Sequence, residues 1–350
     1  MVRRIAFAVP GDLATPTGGY AYDRRMITEL ELLGWHIDIV GLGEGFPWPV
    51  DETRAAAQAR LLAVPTDQTI VIDGLAFGVL PDAGMKLRRQ HRLVALVHHP
   101  LAMESGLHPR QIVTLRDSER AALSSATRVV VTSVTTARYL AADYGVPANQ
   151  IAVVRPGTDA APTARGNTDG IVHLLSIGAV VPRKGFDILI ASLATLTDLP
   201  WRLSIVGDRG RDPQTAAALD EDVTRFAFGG RVSVLGAVAP SRLAELYFSA
   251  DLFVLASRFE GYGMAYAEAI AHGLPVIGTT VGAIPETVPA GAGILVAPDD
   301  AAELAQALRR IIENTDDRRR LATSARNAAG QLPSWRDSAT IFARVLESVA

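Results

Sequence analysis

The 350-residue chain has no cysteine. That excludes disulfides, thiolate metal sites and a cysteine nucleophile, and it suits a reducing, cytoplasmic compartment. Long apolar runs are also missing. None approaches the roughly 20 residues of a membrane-spanning helix, so no transmembrane segment is expected and only peripheral membrane contact is left open. A strand-like run, Arg4-Ile5-Ala6-Phe7-Ala8-Val9, begins almost at the N-terminus and leaves no room for a signal peptide. Excess charge of either sign is absent as well: 34 Lys and Arg stand against 37 Asp and Glu, a net −3 that offers nucleic acid no basic surface. Neither an internal repeat nor a low-complexity tract is found.

What is present is an alternation of short apolar strands with longer helical patterns from end to end. That is the sequence form of a parallel sheet covered by helices, an α/β fold. In the first half, strands are expected at about 4–9, 36–40, 69–72, 93–97, 128–132 and 151–154. The second half offers 171–177, 202–206, 231–235, 251–255, 275–277 and 294–296. Residues 155–170 are rich in Gly, Pro, Thr and Ala without periodicity, as expected of a linker. Two domains follow, 1–157 and 170–332, each long enough for its own core, with a final helical segment 334–350 beyond the break at Pro333.

The stretch around which the chain is organised is 257–269. The apolar run Asp251-Leu252-Phe253-Val254-Leu255-Ala256 should end near Ser257, and an amphipathic helix should open at about Met264 and stop at Gly273-Leu274-Pro275. Glu260 then falls beyond the carboxyl end of a strand, where open α/β sheets bind ligands. The amides of Gly261, Tyr262, Gly263 and Met264 point out of a helix start toward any anion there. With Glu268 further along the helix, two carboxylates can bracket a polyhydroxylated, phosphate-bearing ligand.

Other strand ends carry chemistry too. The first strand leads into a glycine-rich loop ending in Gly18-Gly19, which opens a helix without the G-x-G-x-x-G spacing of dinucleotide folds, so NAD is not expected. His98-His99-Pro100 follows the fourth strand. We take His99 as the residue that faces a ligand, with His98 next, and Glu104 as within reach of the same ligand. No third ligand beside the paired histidines is evident, so no metal is expected. Arg183-Lys184 precedes a helix and supplies two cations.

Glu260 and Glu268, spaced as E-x7-E after an apolar strand with Gly-x-Gly between them, resemble the signature of the retaining glycosyltransferases of family 4. Gly18-Gly19 matches that family's paired glycines after the first strand. Arg183-Lys184-Gly185 resembles its R-x-x-x-K-G element, except that Val180 occupies the place of the arginine. Val206-Gly207-Asp208, the segment 234–238 and Gly282-Ala283-Ile284-Pro285-Glu286 resemble its nucleotide-lining turns. The resemblance implies a GT-B fold, two Rossmann-like domains whose parallel sheets face a central cleft. The first domain would bind the acceptor, the second the donor, and the last helix would cross back to the first.

By the same resemblance, the protein would move a hexose from a nucleoside-diphosphate sugar, UDP favoured over GDP, to a hydroxyl of a saccharide, a lipid-linked glycan or a small molecule. Configuration would be retained by a metal-independent front-face mechanism, as in polysaccharide biosynthesis, with no cofactor beyond the donor. His99, Glu260, Lys184 and Glu104 would serve catalysis. Gly18, Gly19, Arg183, Lys184, Gly207, Gly261, Tyr262, Gly263, Met264 and Glu268 would hold the nucleotide sugar. The alternatives are a nucleotide-sugar epimerase of the same fold, or a degenerate nucleotide-sugar-binding partner of another transferase.

Overall fold

The computed structural model describes residues 3–349. It divides into two compact units, one running to Gly157 and resuming at Pro333, the other spanning Thr158–Leu332. In the first, β1 (Arg3–Val9), β2 (Trp35–Gly41), β3 (Thr69–Asp73), β4 (Leu93–Val97), β5 (Arg128–Val131) and β6 (Ile151–Val153) form a parallel sheet ordered β2-β1-β3-β4-β5-β6. In the second, β7 (Val172–Ile177), β8 (Trp201–Val206), β9 (Val232–Val234), β10 (Leu252–Val254), β11 (Val276–Thr279) and β12 (Gly293–Val296) form another, ordered β12-β11-β10-β7-β8-β9. Every expected strand is found, with ends moved by no more than two residues.

Burial explains why these runs are strands of this kind. β4 reads Leu-Val-Ala-Leu-Val and all five residues are buried, as required of an inner strand covered on both faces. β2, at the sheet edge, instead buries Trp35 and Ile37 while His36 and Ile39 face outward. The helices bury one stripe each. In Ala301–Glu313 the buried positions are Leu304, Ala305, Ala307, Leu308, Ile311 and Ile312, a helical spacing opened by Asp300, which caps the Glu303 amide at 2.8 Å.

Strand order sets where ligands can bind. In the second unit the chain runs outward from β7 through β8 to β9, then restarts at β10 on the other side of β7. The loops after β7 and β10 therefore diverge at a topological switch point, the place where open α/β sheets leave a crevice. The first unit has the same kind of point between β1 and β3.

The final helix, Trp335–Glu347, packs on the Gly18–Leu32 helix of the first unit. Trp335 meets Tyr22 edge-on at 5.9 Å, and the Arg25 guanidinium lies 5.3 Å over its ring. The backbone of Gly157 passes so close to Trp335 that no side chain would fit. The expected linker is tied down from Thr158 onward: Ala164 donates to the His272 carbonyl (2.7 Å), Arg165 to that of Phe248 (2.8 Å), and Asn167 to Asp251 (3.1 Å). Its backbone groups are satisfied by helix ends rather than by a ladder, hence the missing periodicity. Among the described residues no helix is long and apolar enough to cross a membrane.

Candidate functional site

At the switch point of the second unit, Glu260 is buried and collects cations. Its Oε1 accepts from Lys184 Nζ at 2.5 Å and from Ser257 Oγ at 2.8 Å, while Oε2 lies 3.5 Å from Arg183 Nη1. Arg183 also donates to the Phe259 carbonyl at 2.9 Å. Burial alone would raise the Glu260 carboxyl, but the charges of Lys184 and Arg183 and the bonds from Lys184 and Ser257 hold it below the ordinary glutamate value.

The turn carrying the two cations is fixed by backbone as well as charge. Gly185 ends it at φ +64°, packed on the Ala256 carbonyl where a Cβ would collide. The Arg258 amide bonds the Arg183 carbonyl at 2.7 Å, and its guanidinium grips Asp187 (2.7 Å) and Asp299 (2.6 Å). Gly282, at φ +53°, lets the 282–286 segment close on the Glu260 backbone, with Ala283 donating to the Glu260 carbonyl at 2.9 Å. Val180, where the family pattern has arginine, is fully buried, so the cations come from the adjacent pair alone. Lys184 lays its stem across Gly178, and the strand-end glycines Gly178 and Gly207 approach backbone to backbone.

The helix Met264–Ala271 starts from Gly263 in the left-handed region at φ +91°. The Gly261–Met264 stretch thus leads into the helix at the place expected from the sequence. Glu268, half-buried on this helix, accepts from the Tyr247 hydroxyl at 2.9 Å. Burial raises its carboxyl, the Tyr247 bond opposes that, and Asp159 adds to it. Tyr247 stacks in turn on His272, ring centroids 4.4 Å apart and planes 11° from parallel.

In the first unit the paired histidines part company. His98 turns inward: its Nε2 is 3.1 Å from Asp23 Oδ1 and 3.7 Å from Asp73 Oδ2, both buried carboxylates. A side chain added at Gly19 would reach His98 Cδ2 at 3.2 Å, so the paired-glycine loop lies directly against this ring. His99 turns outward toward Glu104, Nε2 to Oε2 3.6 Å, and both are partly exposed. Thus His98, not the favoured His99, is the histidine beside Gly19. Among the described residues Asp23, Asp73 and His98 are compact enough to hold a metal ion, with atoms within 4.8 Å of one another. The imidazole already stands as counter-cation to the two carboxylates, and we read the group as an ion cluster.

The segment after β4 is braced by Glu119, a buried carboxylate on the helix Pro109–Leu123 that accepts from the Leu101 amide at 2.9 Å. Burial pushes its carboxyl up to about 8 against the opposing bonds from Leu101 and Tyr144. A raised carboxyl leaves the fold unpenalised below the unfolded value and costs stability as pH rises toward the folded one. Glu119→Gln should therefore raise the thermal midpoint by roughly 3–6 °C at about pH 8, with the gain fading toward about pH 5. A gain independent of pH would refute the buried-charge account.

Sequence reading located Glu260, Lys184, Arg183, Glu268 and Gly19 but passed over their partners. Ser257, Tyr247, Asp23 and Asp73 carry no local pattern of their own. The one available signal was position, since Ser257 and Asp73 lie at or just beyond the carboxyl ends of β10 and β3.

Comparison with known proteins gives this geometry a family. Residues 25–161 match the model described as Glycosyltransferase Family 4, and 172–314 match Glycosyl transferases group 1. A D-inositol 3-phosphate glycosyltransferase from Nocardia farcinica is 31% identical over 266 residues, 71% of this chain and 58% of that protein. The chain spans a little under three fifths of the length of the curated relatives it matches. Among solved structures, a sucrose-phosphate synthase from Thermosynechococcus elongatus superposes with TM-score 0.83 at 24% identity over 99% of both chains. HepE from Anabaena, in complex with UDP and glucose, gives 0.77 at 20% identity over 98% of this chain and 100% of its own. With models spanning both units and the two parallel sheets of its structural neighbours, this chain belongs to the family 4 glycosyltransferases and has their two-domain GT-B fold.

Proposed function

We propose that the protein transfers a hexose from a nucleoside-diphosphate sugar to a hydroxyl acceptor with retention of configuration. The observation that carries this reading is the Lys184–Glu260–Arg183 cluster at the β7/β10 switch point, two cations beside the start of the Met264–Ala271 helix. That arrangement suits a diphosphate better than any neutral ligand.

The roles follow. Lys184 and Arg183, with the Gly261–Met264 amides, hold the diphosphate and stabilise the charge that grows on it as it leaves. Glu260 orders both cations, and its Oε2, which among the described residues carries only the long Arg183 contact, accepts from a sugar hydroxyl. Glu268 takes the ribose hydroxyls. His98, lying against Gly19, takes the positioning role on the sugar, and Glu104 with His99 meets the acceptor. The acceptor oxygen bonds the anomeric carbon on the face from which the phosphate oxygen departs, and its proton passes to that oxygen. The first unit binds the acceptor, a saccharide, lipid-linked glycan or small molecule, and the second binds the donor. UDP is favoured over GDP because the HepE structure holds UDP. An epimerase would need further carboxylates around the sugar, and Glu260 is already committed to two cations.

The test is a thermal-shift panel of UDP, GDP, ADP and dTDP, followed by hydrolysis of the matching sugar nucleotides. One nucleotide should raise the midpoint by mass action, and its sugar derivative should turn over slowly in water. Binding without any turnover would favour a degenerate partner, and an isomerised donor would favour the epimerase.

A further inference from the structure

The function above uses His98 but not the two carboxylates that hold it. We infer that Asp23 and Asp73 are positioning residues: by gripping Nε2 of His98 they keep the ring cationic, so that Nδ1 presents a charged N–H donor to the bound sugar. The inference rests on the reading that His98 contacts substrate.

The geometry supports it from three sides. First, Nε2 faces two carboxylate oxygens at 3.1 and 3.7 Å, an environment that only a protonated nitrogen satisfies. Second, the carboxylates are more deeply buried than the ring. Their side chains are 0% and 3% exposed, while His98 keeps 19% of its side chain accessible. Third, Nδ1 makes no hydrogen bond among the described residues, whereas the backbone is pinned by Thr132 Oγ1 donating to the His98 carbonyl at 3.0 Å. In a neutral ring with its proton on Nε2, Nδ1 would be an acceptor. Protonation turns the same atom into a donor, so the state of the cluster decides which kind of hydroxyl contact His98 makes.

The titratable groups facing the ring are Asp23 and Tyr22 from the Gly18–Leu32 helix and Asp73 from the end of β3. Tyr22 meets it edge-on at 5.2 Å and spends its hydroxyl on the Val154 carbonyl, so it adds no charge. Burial alone would lower the imidazole, but the charges and bonds of Asp23 and Asp73 outweigh it and push His98 up to about 10. Asp73 is held below the ordinary range: burial works against that, but His98, Asp23 and the Leu75 amide outweigh it. Burial, with the Asp73 charge adding to it and His98 opposing, pushes Asp23 up to about 7. Asp23 Oδ2 is buried with no hydrogen-bond partner, as fits the member of the pair that takes up a proton. Two carboxylates are needed because one would leave the ring's desolvation largely uncompensated.

The experiment is two-bond proton–nitrogen NMR on the 350-residue chain labelled at its seven histidines, with the His98 signal identified by its loss in His98→Gln. At about pH 8, where an ordinary histidine is neutral, both His98 nitrogens should carry protons. Asp73→Asn, which keeps a cap for the Leu75 amide, should lower the His98 midpoint by about 1–3 pH units, and Asp23→Asn should lower it too. With UDP-glucose as probe, Asp73→Asn should lose about tenfold or more in kcat of hydrolysis at about pH 8 and regain most of it at about pH 6, with KM little changed. A neutral His98 at about pH 8 in the unaltered protein overturns the inference whether or not the variants fold. Full turnover by His98→Gln would instead sink the reading on which the inference rests, and would leave the NMR result standing.

Discussion

Lys184→Met should cost the second unit about 3 kcal/mol of stability and lower turnover by about a hundred- to a thousandfold. Two separate causes act on one residue. The stability loss comes from Glu260, whose side chain is 8% exposed and would lose its 2.5 Å partner. Ser257 still donates to it, but the Arg183 contact is long at 3.5 Å, so most of a buried charge is left uncompensated. On the proposed role of the two cations, the turnover loss comes from the diphosphate, which would leave against one cation instead of two.

The double variant Lys184→Met/Glu260→Gln separates the causes. Removing both charges should recover most of the thermal midpoint, because a neutral amide beside a thioether costs far less than an orphaned carboxylate. Turnover should stay low. Recovery of turnover along with stability would mean that the cations have a structural task only. The pH dependence adds a check on sign. In the unaltered protein the depressed Glu260 carboxyl contributes stability above the ordinary glutamate value and loses it on acidification. In Lys184→Met the unpaired carboxyl should rise and take up a proton, so the gap between the two midpoints should narrow toward about pH 5.

The division between what was legible in the sequence and what was not follows the range of the interactions. β4 was legible because an inner parallel strand must be apolar throughout, and Leu93–Val97 is. The helix at Met264 was legible from its glycine start and its Gly273-Leu274-Pro275 stop, both local signals. Lys184 and Glu260 could be named because each follows a strand. Their mutual bond could not, since it joins residues 76 apart through the order β10-β7, which the sequence does not print. The same holds for His98. Asp23 lies 75 residues before it, in a helix that looks merely amphipathic. His99 was favoured from its place after a strand's carboxyl end, but His98 shares that place, and which of the two turns inward depends on register against β3 and β5. The linker misled for a related reason: a segment without periodicity reads as free, yet 158–170 makes its bonds to distant helix ends.

On the proposed ribose role, Glu268→Ala should weaken nucleotide binding by on the order of a hundredfold, the loss of two charge-assisted hydrogen bonds at about 1.5–3 kcal/mol each, less what water restores. Calorimetric titration with UDP reads this directly. Tyr247→Phe should have a smaller effect, about five- to tenfold, because it removes a donor that orients the carboxylate and opposes its raised pKa without removing the acceptor itself. Tyr247 keeps its stack on His272 in that variant, so the helix position is undisturbed. The pH dependence has a definite direction. A carboxyl raised by burial takes up its proton at higher pH than an ordinary glutamate. The Glu268 contribution to UDP affinity should therefore be lost on acidification at a higher pH than an ordinary glutamate would set, and at a higher pH still in Tyr247→Phe. Glu268→Gln should bind weakly at every pH, with that early acid limb gone. If Glu268→Ala binds UDP as tightly as the unaltered protein, the ribose role is lost. The E-x7-E spacing would then serve the diphosphate through Glu260 alone, with Glu268 reduced to a partner for Tyr247.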